Sequence, residues 1–126
     1  MILRVLLLSI LWLAALNAHS QTMSGNDLLQ KLTDRNIAGL HYLAGIVDAA
    51  EASRLVFELN FMPTDEDTRR KAEASLGKFW GCRPEKASYG QVADVTVSYL
   101  KKHPNLRHLE SSVLIPAAMR EAWPCN

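Results

Sequence analysis

The sequence predicts an all-α fold, a small bundle of about five helices stapled by one disulfide. Apolar residues recur at helical spacing in five segments, and no segment makes a convincing strand. Helix start and stop signals punctuate those segments. Cys82 and Cys125, the only cysteines in the 126 residues, bracket a stretch with two clear helix patterns. A bond between them closes a loop of about 44 residues, worth roughly 4 kcal/mol in the chain-entropy relation. Taken alone, two cysteines also leave open buried inert thiols or a shared metal, and the compartment decides among these.

The N-terminus indicates the compartment. Met1 to Gln21 has the pattern of a secretory signal, with Arg4 as its basic start, an apolar run from Val5 to Leu16, and Ala18-His19-Ser20 as the cleavage site. Residues 1–20 are the expected signal and 21–126 the expected single domain. The apolar run is shorter than a hydrocarbon core requires, which disfavours an uncleaved anchor. No cysteine follows it, so lipoprotein processing has nothing to acylate. In an oxidising compartment an even cysteine count means bridges, and Cys82–Cys125 is the expected disulfide. Loss of Arg4 from the 14 basic residues leaves 13, matching the 13 acidic ones. This neutrality argues against nucleic-acid binding. A mature chain of about 106 residues buries only a modest core, so a covalent staple suits its size.

In chain order, Asn26 is a candidate N-cap for a short helix with Leu28, Leu29 and Leu32 on one side. Ile37 to Asn60 reads as the longest helix, with Leu40, Leu43, Val47, Ala50 and Arg54 on one stripe. Gly39, Ala44, Gly45, Ala49 and Ala50 are small enough for another helix to approach closely, and Gly45 in particular suggests tight packing. Glu51–Arg54 and Arg54–Glu58 have surface ion-pair spacing, and Asp48 reads as a solvated or backbone-bonded aspartate. Thr64 is the expected cap of a charged helix that ends at Gly81. Ser88 and Gln91 form a capping box. Val95 to Tyr99 alternates like a strand, but the box before it and Lys101, Lys102, His103 and Pro104 after it select a helix. Its narrow polar stripe makes it the expected most buried helix. Ser111 or Ser112 is the expected cap of a last helix through Ala122, and Pro116 fits if that helix begins there or is kinked. His103 to Glu110 reads as a polar loop.

No metalloprotease, P-loop, dinucleotide or serine-elbow motif is present, nor a C-x-x-C pair. His103 and His108 could join the cysteines around zinc, but neither cysteine has the close cysteine partner that zinc knuckles use. His41 reads as packed or solvated. The expectation is no enzyme and no cofactor.

An ordered set of short motifs remains. Gly25-Asn26-Asp27-Leu28-Leu29 is followed by Tyr42-x-x-Gly45-x-x-Asp48-Ala49 and by Cys82-x-Pro84 with Ser88-x-x-Gln91. Val97-x-Tyr99-Leu100-x-x-His103-Pro104 and Ala122-Trp123-Pro124-Cys125 complete it. This set resembles the Rap/Tai-type immunity domain over nearly all of the mature chain. Family members commonly carry a further cysteine pair, at places that here hold Leu32 and Gly39 or a neighbour. The segment near 61–80 is longer than the usual link into Cys-x-Pro, and its charged helix resembles an insertion.

The resemblance implies a periplasmic immunity protein that binds and inhibits a peptidoglycan-cleaving amidase effector of type VI secretion. Such a role needs a rigid scaffold presenting a protruding loop. The loop 103–112 is the candidate, with Arg107, His108 and Glu110 as its expected partner contacts. No membrane contact is expected after signal cleavage, and a homodimer is left open. The alternatives are an exported helical binding module, such as an envelope chaperone or structural adaptor, and a hydrolase with an unrecognised site.

Overall fold

In a computed structural model, residues 22–125 are described. The stretch read as an export signal lies outside the described residues. Five helices follow in order: α1 (Gly25–Thr33), α2 (Ile37–Phe61), α3 (Glu66–Trp80), α4 (Tyr89–Lys102) and α5 (Ser111–Ala122). A 3-10 turn, Pro104–Leu106, separates the last two. Among the described residues there is no strand, only one antiparallel bridge between Ser24 and Glu110. None of these helices is long and apolar enough to cross a membrane.

α4 and α5 pack together at the centre, with α1 and the first half of α2 against them and α3 against α5. Leu28, Leu43, Val47, Val92, Leu100, Leu114 and Ile115 form the core, each at most 2% exposed. The alternating segment Val95–Tyr99 lies inside α4, as its flanks require. Both halves of the Ser88–Gln91 box form, with the Gln91 amide donating to Ser88 Oγ and the Ser88 amide to Gln91 Oε1. Gly81 ends α3 at φ 75°, a conformation open to glycine and costly for other residues.

Several local expectations are corrected. Ser24, not Asn26, caps α1, in a reciprocal box with Asp27. Its position is fixed from outside the helix, because the Ser111 hydroxyl donates to the Ser24 carbonyl at 2.8 Å. Ser111 is therefore not a cap, and α5 starts after Glu110 with no side-chain cap bond. Asp65, not Thr64, caps α3 by accepting from the Thr68 amide at 2.9 Å. Arg54 pairs with Glu58 at 2.7 Å, whereas Glu51 pairs with Arg83 across the fold. Asp48 accepts a hydrogen bond from the Tyr89 hydroxyl.

α5 is the most buried helix rather than α4, with six buried residues against four. Pro116 lies within α5 and is itself buried. Among the described residues Gly45 packs against nothing, since a Cβ there would meet none of their atoms within 4 Å. The close approach falls at Gly39, where a Cβ would stand 2.7 Å from Lys31 Cβ and 3.5 Å from the Leu32 amide nitrogen. The places at which the resemblance expects a second cysteine pair thus lie against each other.

Candidate partner-binding surface

The loop after α4 is built by polar ties to backbone. The His103 amide donates to the Tyr99 carbonyl at 3.0 Å, and the His103 and Tyr99 rings lie 4.4 Å apart. Pro104 has no amide hydrogen and opens the 3-10 turn. Arg107 then turns back onto α4. Its Nε donates to the Leu100 carbonyl at 2.5 Å and its Nη2 to the Lys101 carbonyl at 3.2 Å. These carbonyls lie in the last turn of a helix, where a cation also complements the dipole.

The far side of the loop is pinned to the N-terminal segment. The Asn26 amide donates to the Arg107 carbonyl and the Gly25 amide to the Leu109 carbonyl, both at 3.0 Å. The Ser111 amide donates to the Met23 carbonyl at 2.8 Å. Gly25 is required for this contact, because a Cβ there would come within 2.5 Å of Leu114 Cδ1 and 3.0 Å of the Arg107 carbonyl oxygen. The base is tied as well. Glu121 accepts from Lys102 Nζ at 2.7 Å and lies 3.1 Å from His103 Nε2. These two contacts hold the Glu121 carboxyl below its ordinary pKa.

The three loop residues singled out by sequence therefore stand differently. Arg107 is half-buried and engaged with α4, His108 is exposed, and Glu110 is exposed while accepting from the Thr22 hydroxyl at 3.1 Å. Burial, with Glu110 as the lesser influence, raises the pKa of the nearby Tyr42 phenol. Leu109 and, in the first turn of α5, Val113 add exposed apolar surface that the polar reading of the loop missed.

A concave feature lies between the second half of α2 and α3, a cavity of about 650 Å³. The disulfide and Met119 line it, with Arg54, Glu73 and Trp80 among its other lining residues. Cys82 and Cys125 are bonded to each other, with Cα atoms 5.1 Å apart, which removes them as zinc ligands. A Cβ on Gly77 would come within 2.6 Å of Cys125 Sγ, so α3 lies on the bridge only because glycine occupies that position.

No curated protein and no solved structure matches the chain. The family model described as Rap1a immunity proteins matches residues 14–125, and it covers every element described above. With that match over most of its length, the chain belongs to the Rap1a immunity protein family.

Proposed function

We propose that this immunity protein acts in the periplasm, where it binds a peptidoglycan-cleaving amidase effector of type VI secretion and blocks its cleft. It does no chemistry of its own. The carrying observation is the loop 103–110, tied by Arg107 to α4 on one side and by Gly25 and Asn26 amides to α1 on the other. A loop ordered before binding loses little entropy on binding, as occlusion of a preformed cleft requires. Arg107 holds the loop's shape, while His108 and Glu110 meet the partner beside Leu109. Residues 21–126 act as one domain, and the helical segment near 61–80 is an addition that forms one wall of the disulfide-lined cleft.

The test is one-to-one capture of amidase effectors from the same source by the oxidised protein, with peptidoglycan cleavage as the readout. Saturable capture with loss of cleavage is expected. His108→Ala combined with Leu109→Asp should weaken it at least tenfold while leaving the melting curve unchanged. Unchanged affinity would move the interface off the loop, and no capture by any amidase would overturn the amidase reading. The exposed apolar residues on the second half of α2 favour one alternative, an exported module for unfolded clients. Weak, non-saturating binding to many unfolded chains would support it.

A further inference from the structure

The cleft between α2 and α3 is a place where two helix faces meet without closing. Arg70, Glu73, Ala74, Gly77 and Trp80 line it from α3, at the i, i+3, i+4, i+7 spacing of a single face. Val47, Ala50, Glu51 and Arg54 line it from α2 at the same spacing. Ala74 and Gly77 are too small to fill the gap, and α3 buries none of its residues. About 650 Å³ therefore stays open, a volume typical of small-molecule sites. Its floor is apolar, since Val47, Ala50 and Met119 are each at most 5% exposed.

The charges around this floor are unequally engaged. Each arginine of the lining already holds a carboxylate: Arg54 that of Glu58, Arg70 that of Asp67 and Arg83 that of Glu51. Arg83 also donates to the Ala87 carbonyl at 2.6 Å. Glu73 and Glu85 line the cleft too, and among the described residues no ion pair engages either. The last turn of α3, from Gly77 to Trp80, brings the negative end of its dipole to the same space. Trp80 is half-buried, and the Phe79 ring meets its indole edge-on at 5.0 Å, so packing holds the indole in place. An indole face is the strongest aromatic site for a cation.

We infer that this cleft binds an organic cation, with its apolar body on the Val47–Met119 floor and its ammonium group between Trp80 and the carboxylates of Glu73 and Glu85. An anion would have to displace a carboxylate from an arginine before binding. A cation meets carboxylates that are already unpaired, and that difference sets the sign of the ligand.

NMR spectra of amide and indole N–H groups, recorded while benzyltrimethylammonium chloride is added to the oxidised protein, read this directly. Phenylacetate at equal ionic strength is the anionic comparator. The expected result is saturable movement of the Trp80 indole and of the Gly77 and Gly81 amides with the cation, and weaker binding of phenylacetate. Glu73→Gln and Trp80→Leu should each weaken the cation by about threefold or more. Glu73 is exposed, so its variant should leave the circular dichroism melt unchanged. No saturable movement, phenylacetate binding as well as the cation, or affinity indifferent to both substitutions would overturn the inference. No effector enters the measurement, so its failure leaves the immunity reading standing.

Discussion

Six of the twelve residues of α5 are buried, and none of the fifteen in α3 is. The two helices nevertheless pack against each other. α5 is held by apolar burial, with Leu114, Ile115, Ala118 and Met119 inside the core. α3 is held at its C-terminal end by few ties. Gly77 rests on the disulfide, Arg120 Nη1 donates to the Phe79 carbonyl at 2.8 Å, and the Cys82 amide donates to the Trp123 carbonyl at 2.8 Å. A helix without a buried face thus stays in place because a covalent link and backbone-directed bonds fix where it ends.

The sharpest way to break this contrast is to remove the bridge. Cys82→Ser with Cys125→Ser should lower unfolding free energy by roughly 4 kcal/mol, on the chain-entropy relation for a loop of about 44 residues. Denaturant titration measures the total, and hydrogen exchange locates it. Protection should fall in α3 by more than in α4 or α5. Equal loss across all helices would show that α3 shares the core's stability after all.

Ile115→Ala acts on the other side of the comparison. Ile115 is fully buried, and truncation there should cost about 2–5 kcal/mol with a general loss of protection. Gly81→Ala tests the junction between the two regions. Its φ of 75° with ψ 175° is nearly confined to glycine, and a Cβ would stand 2.9 Å from the Met119 carbonyl oxygen. The expected cost is roughly 2 kcal/mol, read by the same titration. A neutral Gly81→Ala would mean that the α3–α5 junction yields freely.

The same contrast explains what could be read from the sequence. The Ser88–Gln91 box, the glycine stop at Gly81 and the choice of helix for Val95–Tyr99 were legible because each depends on residues within the same helix or its immediate flanks. Cys82–Cys125 was legible because only one pairing of two cysteines exists. Ser111 bonding to Ser24, Glu51 pairing with Arg83 and the close approach at Gly39 depend on contacts between segments, which local patterning does not encode. Arg107 has the composition of a solvated loop residue. Only the path of the 3-10 turn reveals that its guanidinium meets the last carbonyls of α4. A signal for the exposed apolar residues on the second half of α2 was present in the sequence, in that Leu55, Val56 and Leu59 continue the apolar character around the helix rather than along one stripe.

The smallest expected effect concerns the base of the loop. Glu121 carries the contacts to Lys102 and His103, and its folded pKa lies below the unfolded value, chiefly through the hydrogen bond from Lys102. Protonation therefore favours the unfolded chain. The contribution is fully present above the ordinary glutamate pKa of about 4.3 and is lost as pH falls through the lowered folded value. Both partners are solvent-exposed, so salt should diminish the effect. Glu121→Gln removes the titration while keeping the shape. The stability gap between the native protein and this variant should be present near about pH 6 and close as the medium approaches about pH 3. Amides of residues 104–110 should lose protection in the native protein over that same acid range, because Lys102 and His103 lead directly into the loop. A gap independent of pH would mean that Glu121 contributes through packing alone, and that the loop is held from the α1 side.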